Sequence, residues 1–400
     1  MGRLNQFHFT DVEKTELARK IEERFAAAEI DSIIAVGSSN ITYLTNGTVF
    51  PYIDQGLIHP VAIYINFKTK RRVLVCTFDL ADIPDQLGWD GETLVYELTE
   101  ATPEESLAAA LAREPLGDGV VGADFEQMSG RQLSALQAII PNQTIQPVDS
   151  ILSELRMTKT AAEVRLLEIA GRMGDRGFIS ALNHSEGAAL DNLSYPMWEY
   201  GERFRVHVAE FGGSGVGNMS ILQGERGRDL YSKTGTREIF NEGEFLRLEH
   251  SVHNYGYWAT GARTVYIGYP DHDANQAWAD NLVLKTAAVD ALVAGNKASD
   301  VYAAVADMSG EKGIPFWQVS DIGHGVGASE REAPYLAPYD HTILAPGMVV
   351  VTSVYTFNNK QELICNKDLF LITESKAELL TWYKNFDSLY ALHGTSARHG

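Results

Sequence analysis

Four hundred residues are enough for two or three domains with buried cores. A 45% hydrophobic and 22% charged composition is that of an ordinary soluble globular chain. A net charge of −20 with no basic run repels phosphate, which argues against nucleic-acid and anionic-membrane partners. Cys76 and Cys365 are too few for a disulfide framework, and no stretch reaches the ~18 consecutive apolar residues of a membrane span. The opening MGRLNQFHFTDVEK lacks an apolar signal core, so a cytoplasmic, soluble protein is expected.

In chain order, Thr10-Asp11-Val12-Glu13 is a capping-box start, and Leu17, Ile21 and Phe25 recur every four residues as one face of a helix. Ile30–Val36 reads as an apolar strand. Strand-like runs follow at Val61–Phe67, Arg72–Phe78 and Thr93–Leu98, then a helix near Glu104–Ala112 and a strand near Val120–Ala123. This alternation predicts an α/β domain over residues 1–152. Thr160 and Glu163 form a second capping box, opening a long helix that runs towards Ala181 before the polar stretch His184–Asn192. Phe211–Gly217, FGGSGVG, fits neither a nucleophile elbow nor a dinucleotide fingerprint and reads as a glycine-rich turn. Phe245–Gly268 predicts a hairpin turning at Asn254-Tyr255-Gly256. Helices over Ala274–Ala294 and Asp300–Gly313 and strands at Val349–Phe357 and Leu369–Thr373 complete the second domain, residues 153–400.

The hairpin resembles the metal-binding hairpin of the creatinase, aminopeptidase P, prolidase and methionine aminopeptidase family, whose members share the pita-bread fold. Two further segments carry the likeness: Ser39-Asn40-Ile41-Thr42-Tyr43-Leu44-Thr45 in the N-terminal domain, and Leu155-Arg156-Met157-Thr158-Lys159-Thr160 at the entry to the C-terminal one. The resemblance spans roughly residues 10–381. It implies a creatinase-type α/β N-terminal domain and an α+β pita-bread C-terminal domain.

The family's hairpin carries two aspartates that bind a dinuclear metal centre. Aligning Gly256-Tyr257 and Arg263-Thr264 to it puts Glu249 and Thr260 at those positions. Gly323-His324-Gly325-Val326-Gly327 keeps the family's ligand histidine as His324. Seven residues on, Arg331 replaces a second histidine and is followed by Glu332. Ser353 and Lys367 stand where the remaining two glutamates belong. The usual set carries about −4, whereas this one sums to roughly zero at neutral pH, so no metal and no other cofactor is expected.

Such a cleft retains groups for chemistry. Glu249, His324 and Lys367 are the candidate catalytic residues: a carboxylate base, an acid–base partner, and a cation replacing the metals' charge. Arg331, Glu332, Thr260, Ser353, Tyr257, His253 and Ser232 are candidate substrate contacts. Ser232 stands where creatinase, which works without metal, carries its catalytic histidine. Each has a plainer reading: Glu249–Lys367 as a buried salt bridge, Arg331 with Glu330 and Glu332 as a solvated ion cluster, Tyr257 as a packing support. Period-two alternation puts His253 on the face of Glu249 and His250 on the other.

Three functions follow. The first is a metal-independent hydrolase cleaving a C–N bond in a small carboxylate-bearing amide or guanidino compound, with lyase chemistry as a variant. The second is a pita-bread binding module without activity, and the third an atypical Xaa-Pro metallopeptidase. The resemblance also implies a homodimer, with residues near Tyr43–Asp54 lining the partner's cleft.

Overall fold

The computed structural model describes residues 9–47, 59–82, 88–98, 101–114, 119–141, 143–188, 196–228, 238–318, 321–381 and 388–392. The chain divides into two compact units, Met1–Arg156 and Met157–Gly400. The break expected after residue 152 falls inside a helix, Asp149–Met157, which continues because Leu152 and Leu155 bury one of its faces.

The first unit opens with α1 (Asp11–Ala27), capped as expected: Glu13 N donates to Thr10 Oγ1, and Thr10 N donates to Glu13 Oε2 at 2.8 Å. Its buried face is Leu17, Ile21 and Phe25. Strand β1 (Ser32–Ala35) follows, then the short helix α2 (Ser38–Leu44) carrying the Asn40–Leu44 segment. Next come β2 (Ala62–Asn66), β3 (Arg71–Thr77), β4 (Glu92–Tyr96), α3 (Pro103–Leu111) and β5 (Val121–Ala123). The unit is completed by α4 (Gly130–Ile139), β6 (Ile145–Pro147) and α5 (Asp149–Met157). The six strands form one mixed sheet in the order β4-β3-β2-β1-β5-β6, antiparallel only where β2 meets its two neighbours.

In the second unit, α6 (Ala161–Ala188) starts on the Thr160–Glu163 capping box. It extends seven residues beyond the expected end at Ala181, because Leu182 stays buried and Ser185 Oγ donates back to Ala181 O at 2.8 Å. Helix α7 (Met197–Glu210) and β7 (Gly215–Gln223) lead to the hairpin of β8 (Phe245–Asn254) and β9 (Tyr257–Ile267). Tyr255 and Gly256 both have positive φ, 47° and 78°, the requirement of a two-residue type I′ turn. Ser214, from the glycine-rich turn, accepts the Tyr255 amide at 3.0 Å and braces it.

After α8 (His272–Ala291) and α9 (Ala298–Lys312), a second sheet forms from β10 (Gly323–Gly325), β11 (Glu332–Tyr335), β12 (Val349–Thr352), the later β15 (Asp368–Ile372) and β16 (Ala377–Leu379). Its order is β11-β10-β12-β15-β16, while β13 (Thr356–Phe357) and β14 (Leu363–Ile364) pair separately. Strand β17 (Ala391–Leu392) closes the hairpin sheet as β17-β9-β8-β7. One face of β8–β9 packs on α6. The opposite face meets the second sheet, where Lys367 N donates to Ala262 O at 3.1 Å. Among the described residues, no helix is long and apolar enough to cross a membrane.

Candidate active site

The alternation of β8 decides which side chains face the second sheet. Arg247 and Glu249 lie opposite Thr264 and Ala262 of β9 and share one face, and the Ser251–Thr260 pair continues it. His250 points the other way, against Gly174 of α6 and the ring of Phe204 at 4.7 Å. The His253 ring lies 4.5 Å from that of Trp258, tilted 46° to it.

The backbone bridge between Ala262 and Lys367 brings the expected ion pair together. Lys367 Nζ donates to Glu249 Oε2 at 2.6 Å across 118 positions of sequence. Two residues that sequence reasoning missed complete the cluster. Tyr355 donates its hydroxyl to Glu249 at 2.9 Å, and Arg247 Nε approaches Glu249 Oε1 to 2.8 Å. Both cations flank the Tyr355 ring, Arg247 at 5.5 Å and Lys367 at 5.4 Å from its centroid. The alternation of Arg247 and Glu249 with Leu246 and Leu248 in a strand buried along almost all its length is the available signal for Arg247.

Burial alone pushes the Glu249 carboxyl up, but Lys367, Arg247 and the hydrogen bonds from Lys367 and Tyr355 outweigh it and hold the group at about 2. The same carboxylate keeps the Lys367 ammonium well above its ordinary value against the opposing effect of burial. Both are therefore charged at neutral pH. Burial first, then the nearby Arg331 charge, lower His324 to about 4. His324 Nδ1 lies 3.0 Å from Gly325 O, which only accepts, so Nδ1 carries the proton and Nε2 the lone pair. Neutral His324 is thus the one catalytic candidate with a basic atom not committed to an ion pair.

The other candidates divide. Thr260 and Ser353 are buried at their expected positions, and neither hydroxyl has a hydrogen-bond partner among the described residues. Glu332 does not join Arg331 in a solvated cluster: it turns inward to Lys159 at 2.8 Å, with both side chains almost fully buried. Removing either member would strand a buried charge. Arg331, half-exposed, pairs with Asp321 and lies over the Tyr335 ring. The Tyr257 hydroxyl reaches Glu163 at 3.3 Å, beside the cap of α6. Ser232 and residues 48–54 lie outside the described residues.

A separate charge group stands behind the pair. Arg263 Nη2 reaches Asp175 at 2.8 Å and Asp368 at 2.7 Å, and Lys285 also pairs with Asp368.

The donor chemistry at the five mapped positions does not fit a pair of dications. One carboxylate is present, and its oxygens already serve a lysine, an arginine and a tyrosine; two donors are neutral hydroxyls and one is an ammonium. No group of three or more His, Cys, Asp or Glu side chains able to hold a metal occurs among the described residues.

A model described as metallopeptidase family M24 matches residues 165–374, and one described as the creatinase/prolidase N-terminal domain matches residues 18–158. The uncharacterized peptidase YqhT of Bacillus subtilis is 22% identical over 90% of this chain and 96% of that protein. The solved Xaa-Pro dipeptidase from Bacillus anthracis superposes with a TM-score of 0.77 at 20% identity, covering 94% of this chain and 99% of that one. The N-terminal domain of the FACT complex subunit SPT16 from chickpea (Cicer arietinum) superposes at 0.71 with 16% identity, covering 94% and 98%.

Proposed function

The chain belongs to metallopeptidase family M24 and carries its creatinase-type N-terminal domain, and from that premise we propose that it is a hydrolase of a small carboxylate-bearing amide. The relatives' names put a dipeptide first among such substrates. Their family description speaks for metal dependence and gives metal independence no support. The reading without metal rests on a single observation, the donor set in which Lys367 sits 2.6 Å from the one carboxylate.

In this reading His324 Nε2 takes the proton from the attacking water, since its Nδ1 is fixed on Gly325 O, and returns it to the leaving nitrogen as the tetrahedral intermediate collapses and the C–N bond breaks. Lys367 stabilises the oxyanion that forms on the carbonyl. Glu249, held at about 2, holds the lysine in position and takes no proton. The Thr260 and Ser353 hydroxyls are free to hold water or a substrate polar group. The dimer implied by the family likeness is part of the same proposal.

Metal content and activity on one sample test it. Protein purified without chelator is expected to carry well under one metal per chain, to cleave dipeptides equally with and without EDTA, and to sediment as a dimer at micromolar concentration. One or two bound dications with EDTA-sensitive cleavage would overturn the metal-free reading in favour of an atypical Xaa-Pro metallopeptidase. A monomer would remove the dimer. A second reading, a binding module of the same fold, is favoured by the Glu249–Lys367 pair, which commits two of the three catalytic candidates to each other. It predicts no cleavage of any amide.

A further inference from the structure

Arg247 is 2% exposed and is the largest fully buried side chain among the described residues, yet its guanidinium is short of partners. Nε lies 2.8 Å from Glu249 Oε1 but off the hydrogen-bond direction, and Nη1 and Nη2 have no partner among the described residues. Buried polar groups are almost always satisfied, and an unmade hydrogen bond from a buried charge is costly. Among the described residues, Arg247 and Lys367 also share the single carboxylate of Glu249, so two cations face one anion. The flat ring of Tyr355 lies against both. Its hydroxyl is spent on Glu249 and cannot neutralise either.

The geometry points to a binding site for one monoanion, a carboxylate, seated on the free Nη1 and Nη2 of Arg247. A planar carboxylate matches the two parallel N–H vectors of a guanidinium, which a point cation such as lysine does not offer. The Glu249 and Lys367 side chains are 15% and 16% exposed, so the cluster reaches solvent at that end while Arg247 lies behind it. The carboxylate of a small substrate would then enter past the ion pair and dock on Arg247, leaving the remainder of the molecule beside Thr260, which continues the same face of the hairpin. This names the anchor for the carboxylate-bearing substrate and rests on the preceding proposal only for the idea that the bound compound is turned over. Arg331, the arginine singled out from sequence, is already paired to Asp321 and is not this anchor.

Calorimetric titration with sodium acetate, against its neutral isostere acetamide, tests the site without any turnover. Acetate is expected to bind one per chain and acetamide at least tenfold more weakly. Arg247→Met is expected to weaken acetate at least tenfold, Arg247→Lys to retain part of the affinity, and Arg331→Met to stay within twofold of wild type. Equal affinities for acetate and acetamide on the wild-type protein would overturn the site, and that comparison needs no variant to fold. So would wild-type affinity in a folded Arg247→Met. Acetate binding through Arg247 with no amide cleaved would leave the site standing and remove the hydrolase. Cleavage with an unchanged KM in Arg247→Met would do the reverse.

Discussion

Two buried charge groups lie on either side of residues 367 and 368, and they are built differently. Around Asp368 the signs cancel: Arg263 and Lys285 face Asp175 and Asp368, with Arg263 bridging both carboxylates and Thr381 Oγ1 donating to Asp368 at 3.0 Å. Around Lys367 they do not: among the described residues, Arg247 and Lys367 share Glu249 alone. A balanced and hydrogen-bonded group has no need of a ligand and serves the packing of α6 and α8 against the second sheet. A group with one cation in excess is poorly explained as packing, since an apolar residue of the same volume would stand there without desolvating a charge. The difference separates framework from site in a region where both are made of the same residue types.

The largest effect expected from this contrast is in Arg263→Met. It leaves Asp175 and Asp368 facing each other with Lys285 alone, and is expected to lower unfolding stability by about 3–5 kcal/mol, read by urea denaturation. A loss below ~1 kcal/mol would mean that the two groups are not different in kind.

Acid provides the next test. Burial, then the Arg263 charge, lowers His250 from 6.5 to about 3, and burial, then Arg331, lowers His324 from 6.5 to about 4. Below 6.5 the unfolded chain takes up protons that these folded imidazoles refuse, so stability falls as pH drops from there towards those lower values. Glu249, lowered from 4.5 to about 2, adds stability that is complete above 4.5 and is lost as pH falls through about 2. The urea midpoint is therefore expected to hold steady above about pH 7, decline below 6.5 and fall more steeply below 4.5. Glu249→Gln is expected to make the steeper limb shallower. The remainder belongs to Asp368, whose carboxyl burial pushes up but Arg263 and Lys285 hold below its ordinary value. A midpoint unchanged from pH 7 to about 4 would contradict the burial of both histidines.

The smallest effect is expected from Arg247→Met. Glu249 and Lys367 remain a neutral pair and an unsatisfied guanidinium is removed, so stability is expected to stay within about 1 kcal/mol of wild type. A loss as large as that of Arg263→Met would make Arg247 part of the framework and sharpen the comparison the other way.

Much of the framework was legible in the sequence because it is local. The capping boxes at Thr10 and Thr160, the turn at Tyr255-Gly256 and the face assignment of His250 against His253 follow from chemistry within a few residues. Helix α4 is legible too, from the Ser129–Gln132 capping box, although only Leu136 of its apolar residues is buried. The pairing of Glu249 with Lys367 came from the family's motif and not from spacing, since no periodicity links residues 118 positions apart. Tyr355, Asp175 and Lys285 escaped for the same reason: each meets the hairpin only once a distant strand or helix is folded against it. The partner of Glu332 is not legible in the charges that flank it, since Lys159 stands 173 positions away and meets it only through the fold.

The turn that holds His324 has a consequence for how such chains are recognised. A Cβ at Gly323 would stand 2.2 Å from Val351 O, and one at Gly325 would stand 2.3 Å from Ala333 O, both backbone atoms that cannot swing aside. Missense changes at these two glycines would be purged for folding alone, whether or not the cleft still turns anything over. The three-letter signature around His324 therefore records ancestry of the scaffold, and a saturation-mutagenesis map would show it as intolerant even in a lineage whose chemistry had moved elsewhere.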